Sequence, residues 1–319
     1  MIRAYYQRDN METDLIKSDE LAISITRTAS LQTAYTIRFL ADRGLMFNAY
    51  RAYAYFRCVD DWIDQESLQK VDRLAFIDRQ KALLLDFTRG FRPQNITAEE
   101  QMLMELIRSE ESTTEHSGLR LYIQNMMAVM AFDAERRGRL ISKSELGTYA
   151  YTLAVAVTEA MHYFIGHNSF SPAGDGRYLA VTGAHITHML RDTVEDNAAG
   201  YFNISGEYLK TNHISPLDVA SDPYREWVKS RVQLARSYFK AGRDYMAQVE
   251  NLRCRLAGYA YMARFEAVLD LIERDDYLLR AQYQECKTPM AGVRMAWSTL
   301  CSALNEKTPQ ANSGALTVR

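Results

Sequence analysis

Apolar positions recur at helical spacing through most of this chain, broken only at a few polar or proline-containing stretches. From 18 to 64 the pattern predicts helix with one soft break at Asp42-Arg43-Gly44. Helices are predicted at 70–90 and 98–109, separated by Arg92-Pro93-Gln94-Asn95. The stretch 119–139, rich in Leu, Met, Ala and Phe, reads as a buried helix, and 144–165 as another ending at Gly166. A loop follows at 167–176, then a helix over 177–197 that stops near Gly200. Residues 203–223 carry Pro216 and Pro223 and read as irregular. Two or three long amphipathic helices follow between 223 and 279, and a last one at 290–304. Residues 1–17 are polar and loosely ordered in this reading, and 305–319 form a disordered tail. No fixed-period repeat or linker-like composition shift interrupts the middle, so 18–304 is expected to be one helical domain.

Composition narrows the class. Only 15 glycines and 6 prolines occur in 319 residues, too few for strands joined by tight turns, and helix formers dominate, so the fold class is all-α. A formal charge of −2 offers no global attraction for nucleic acid or an anionic membrane. The four cysteines (Cys58, Cys254, Cys286 and Cys301) show neither metal-ligand spacing nor a disulfide framework, and read as buried thiols in a reducing, cytoplasmic compartment. The first twenty residues hold no apolar signal segment, and no run of 18 apolar residues exists. Any membrane association is therefore expected to be peripheral.

The chemistry lies in two acidic clusters about 130 residues apart: Arg57-Cys58-Val59-Asp60-Asp61-Trp62-Ile63-Asp64 and Arg191-Asp192-Thr193-Val194-Glu195-Asp196. In each, two aspartates four residues apart stack on one helical face, where like charges repel by about a few tenths of a kcal/mol. Tyr53, Arg57, Asp60 and Asp64 form one polar stripe, and His185, His188, Asp192 and Asp196 a second, both on otherwise apolar helices. Such stripes are expected to face an internal cavity. Close carboxylates need counter-charge, and hard oxygen ligands suit Mg²⁺, which takes one or two carboxylates plus waters and substrate phosphates; Mn²⁺ is the alternative. Arg57 and Arg191 then become donors to the same phosphates, and a metal-bridged diphosphate becomes a good leaving group. A blander reading, two exposed acidic helix ends with local salt bridges, suits one cluster better than two matched ones.

The segment Tyr53-Ala54-Tyr55-Phe56-Arg57-Cys58-Val59-Asp60-Asp61-Trp62-Ile63-Asp64 resembles the first aspartate-rich motif of the squalene/phytoene synthases, and Leu190-Arg191-Asp192-Thr193-Val194-Glu195-Asp196 their second. The similarity is traceable over roughly 30–205. It implies the all-α isoprenoid synthase fold around a central cavity, and an enzyme that joins two prenyl diphosphates head-to-head through a cyclopropyl intermediate. By the same resemblance Asp60, Asp64, Asp192 and Asp196 would bind Mg²⁺, while Arg57, Arg191 and Tyr53 would contact diphosphate. Tyr149 would stand near the reacting carbons. The 20 Tyr and 12 Phe can line the dry aromatic pocket that carbocations need. NADPH, used by some members, is neither supported nor excluded by the residues.

Four departures mark a diverged member. His185 and His188 stand where the family has a glutamine and an asparagine. Tyr201 and Asn203 replace an arginine and a tyrosine after the second motif. Leu153-Ala154-Val155-Ala156-Val157-Thr158 lacks a family glycine, which should change cavity depth. Ser30-Leu31-Gln32-Thr33 only partly matches a serine-rich phosphate-contacting segment. His185, His188, Tyr201 and Asn203 are thus candidate substrate contacts. Two other accounts stay open. One is a terpene synthase or cyclase ionising a single prenyl diphosphate. The other is a transition-metal oxidase whose His-x-x-His-x-x-x-Asp face, opposite Asp60 and Asp64, supplies enough N and O ligands for Fe, Mn or Zn, with Glu159-x-x-His162 adding a single Glu-x-x-His unit. A non-catalytic relative would be expected to lose the aspartates, and all four remain.

Overall fold

The computed structural model describes residues 18–109, 117–167, 169–283 and 299. Within them the regular structure is helical: α1 (18–29), α2 (Leu31–Leu40), α3 (Met46–Ile63), α4 (Lys70–Thr88), α5 (Ala98–Ser109), α6 (Gly118–Arg136), α7 (Lys143–Phe164), a 3₁₀ turn (Asp175–Tyr178), α8 (Leu179–Ala199), α9 (Gly206–Asn212), α10 (Asp222–Met246) and α11 (Leu252–Arg274). The all-α expectation holds. The N-terminal segment, nearly all of the last predicted helix, the tail, Cys286 and Cys301 lie outside the described residues.

Local chemistry explains the boundaries. The first predicted helix is divided at Ser30, whose side chain accepts a hydrogen bond from the Thr33 amide and so starts α2 afresh. Ser142 and Glu145 form a capping box at the start of α7. Gly200, at φ +87°, ends α8 in the left-handed conformation that glycine adopts without strain. Two predicted boundaries move. The helix expected from 177 begins as a 3₁₀ turn and becomes α-helical only at Leu179. The irregular stretch 203–223 contains α9, capped by Ser205.

One continuous buried apolar cluster runs from Ala22 to Tyr283. Helix α6 packs on α7, and α8 packs on α10, α7 and α11, while α3 packs chiefly on α5 and α6. Close approach of α8 and α10 depends on Gly242: a methyl there would sit 2.6 Å from Ala180 Cβ. Helices α3 and α8, which carry the two acidic clusters, thus hang on different neighbours and leave space between them. That space is a cavity of about 500 Å³, walled by α2, α3, α6, α7, α8 and α11. Of the methionines on α6, Met127 is core, while Met126 and Met130 line the cavity.

Candidate active site

Tyr53, Arg57 and Asp60 project from α3 into the cavity wall, His185 and His188 from α8, and Tyr149 from α7. The partly matching segment after Ser30 contributes Gln32 and Thr33. Asp64, Arg191, Asp192, Asp196, Tyr201 and Asn203 are not part of this wall, so the first polar stripe faces the cavity through Tyr53, Arg57 and Asp60 and the second only through His185 and His188. The reason lies in where the helices end. Asp64 is the C-cap of α3 and Asp196 sits in the last turn of α8, at the ends of their helices. Neither helix has a basic residue in its last turn. Both therefore add the negative end of their peptide dipoles to the carboxylates they carry. Burial, then repulsion from Asp64, pushes Asp60 up to about 7; burial, then Asp192, does the same to Asp196.

Asp192 behaves differently. Burial works against its ionised form, but both Arg191 contacts, at 2.6 Å, and the His188 Nε2 contact, at 2.8 Å, hold it well below the usual carboxylate range. Arg57 reaches Asp60 at 3.2 Å and also pairs with Asp61. Both motif arginines are thus folded onto neighbouring carboxylates. The His188 side chain is half exposed and Asp61 faces solvent, so the acidic residues mark the rim of the cavity rather than its floor.

Sequence reasoning missed the group that joins the two rims. Asp133 on α6 is buried, accepts a 2.9 Å hydrogen bond from the Tyr149 hydroxyl and pairs with Arg136 at 2.6 Å. Arg136 also donates to Asn203 Oδ1 at 3.0 Å, and Asn203 donates to Asp196 at 2.7 Å. The Arg136 guanidinium lies 4.9 Å from the Tyr149 ring centre and 5.0 Å from that of Tyr201. The Tyr201 hydroxyl donates to Asp64 at 2.9 Å. Tyr201 and Asn203 therefore hold one aspartate from each cluster. The available signal was Asp133-x-x-Arg136 at ion-pair spacing on a helix whose buried face is otherwise apolar. Arg264 and Tyr261 of α11 also line the cavity and were missed; burial, then Arg191, pulls the Arg264 guanidinium below its ordinary value.

Beneath this rim the wall is apolar and aromatic, with Phe56, Tyr122, Phe164 and Tyr261. Leu153 and Val157 project into it from the segment lacking a glycine. His185 is buried, edge-on to Tyr149 with ring centres 5.0 Å apart. Burial, then His188 and Arg136, drives it down to about 3, so it is a neutral imidazole.

The Glu159-x-x-His162 unit does not join this site. Glu159 pairs with Arg177 at 2.7 Å and accepts from Tyr178, and His162 meets Tyr245 at 3.0 Å and Cys254 at 3.5 Å. This separate buried network takes the Glu-x-x-His unit away from the two acidic stripes, so it adds no ligand to them. Cys254 is a free buried thiol and Cys58 a half-buried one.

A sequence profile described as squalene/phytoene synthase matches residues 26–291. The chain belongs to the squalene/phytoene synthase family. Family membership makes it a transferase acting on prenyl diphosphates, in a group whose reaction is head-to-head coupling and which generally depends on a divalent metal. No curated protein matches the chain significantly. Among solved structures, squalene synthase HpnC from Alicyclobacillus acidocaldarius is similar with a TM-score of 0.65 and 20% identity, over 84% of this chain and 97% of that one. That likeness establishes the helical isoprenoid synthase fold. No described helix is long and apolar enough to cross a membrane.

Proposed function

We propose that this chain ionises prenyl diphosphates at the acidic rim, with Mg²⁺, and couples two of them head-to-head in the cavity below. The observation that carries the reading is the layering of the site: carboxylates and arginines at the mouth, an apolar and aromatic chamber beneath.

The residues fit a hard divalent cation. Asp60 and Asp196 are carboxylates whose charge the protein compensates only in part, and their neighbours Asp64 and Asp192 supply further oxygen ligands. Among the described residues no three ligands converge as a ready-made metal cage. A site completed by waters and substrate phosphate needs no such cage. Bound Mg²⁺, or Mn²⁺, would supply Lewis-acid stabilisation of the departing diphosphate.

The remaining work falls to the chain. Arg57 and Arg191, which rest on carboxylates in the free protein, turn to the diphosphate, with Tyr53 beside them. Tyr201 and Asn203 orient Asp64 and Asp196. Tyr149 stays protonated, since burial and Asp133 raise it well above its ordinary value, and its hydroxyl hydrogen is committed to Asp133. Its contribution is a fixed ring face beside the carbocation. Leu153 and Val157 limit cavity depth and hence prenyl chain length.

Asp60→Asn and Asp192→Asn are each expected to lower diphosphate release by about a hundredfold or more, because several kcal/mol of charge stabilisation are lost. Helical circular dichroism should persist. Unchanged release in both would sink the metal assignment. Incubation with C10, C15 and C20 diphosphates and Mg²⁺, followed by mass spectrometry of the extracted lipid, tests coupling. A product of doubled carbon count supports it, and equal carbon count indicates a single-substrate cyclase instead.

A further inference from the structure

His185 is a buried imidazole whose two ring nitrogens have no hydrogen-bond partner among the described residues. Proteins seldom leave such a group unpaired, because its lost hydration goes unrepaid. It is 6% exposed and lines the cavity, edge-on to Tyr149. The other bases in the wall are engaged. His188 is held by Asp192, Asp133 by Arg136 and Tyr149, and Asp60 by Arg57. An unclaimed lone pair in a chamber suited to carbocations is a proton acceptor in waiting.

We propose that His185 is the base that ends the reaction, taking a proton from the carbocation formed in this cavity so that the product leaves as an alkene. The inference rests on the coupling reading above. In the step, the C–H bond adjacent to the cationic carbon breaks and its electron pair becomes the new C=C bond. The proton passes to an imidazole nitrogen of His185, then to the released diphosphate. No reductant enters the balance. The imidazole is neutral and ready to accept, because burial and the nearby His188 and Arg136 oppose its protonation. Its weak basicity is no obstacle, since a hydrogen next to a carbocation is far more acidic than an imidazolium.

The test measures alkene formed per diphosphate released, with prenyl diphosphate and Mg²⁺, in the full-length protein and in His185→Gln, His185→Phe and His185→Gly. Glutamine keeps polarity without the base, and phenylalanine keeps the ring. Both should lower the ratio at least tenfold in favour of alcohol or unresolved cyclopropyl products, and added imidazole should restore alkene in His185→Gly. A wild-type ratio in His185→Gln or His185→Phe overturns the proposal. So does loss of diphosphate release from all three variants without imidazole rescue, which would place His185 in ionisation. If the unmodified protein itself releases no diphosphate, the coupling reading is what fails.

Discussion

Arg136 is nearly inaccessible, yet it touches Asp133, Asn203 and the faces of two tyrosines. Replacing it with methionine leaves Asp133 buried without its cation, a loss of about 3–5 kcal/mol that urea denaturation should register. His162 offers a second residue-scale measurement. Burial, then Arg177, lowers it to about 4, with Glu159 opposing and Tyr245 and Cys254 in contact. The unfolded chain, near 6.5, binds the proton first as pH falls, so this contribution is complete above about 6.5 and is lost toward pH 4. A His162→Gln variant should show a shallower fall of Tm across that window. The motif aspartates and arginines were legible as residues because their spacing is periodic. Asp133 was not, because a single carboxylate on the buried face of its helix acquires meaning only through Tyr149, 16 positions on, and through Arg136, whose other partner Asn203 lies 67 positions further.

Helices reveal themselves through periodicity and caps, and most elements here were legible for that reason. Ser30 shows the limit: a serine inside an apolar pattern acts as a cap only when the chain turns there, and the pattern continues on both sides. How the elements dock was less accessible. Gly242 carries no signal in sequence, yet it sets the spacing of α10 against α8. Gly242→Ala should cost about 1–3 kcal/mol through overpacking. Gly147→Ala, with nothing within 4 Å, should instead add about 0.4–1 kcal/mol. Paired denaturation curves would show opposite displacements.

Across the whole molecule, the cavity exists because α3 and α8 are held apart by different partners, which residue spacing does not encode. The negative ends of these two helices and their aspartates converge on its mouth. Asp60 and Asp196 sit above the value near 4 that they have in an unfolded chain, so the metal-free fold surrenders their share of stability as pH rises from about 4 to about 7. Added Mg²⁺ should therefore raise Tm more at pH 7.5 than at pH 5, where protons compete for the same oxygens; an equal shift at both would count against a carboxylate site. This arrangement also sets stability against use. Asp60→Asn or Asp196→Asn, by removing self-repulsion, should make the metal-free protein harder to melt, while Asp192→Asn, which breaks a satisfied pair, should not. A selection for heat resistance alone would thus tend to erase Asp60 and Asp196, and with them the proposed chemistry.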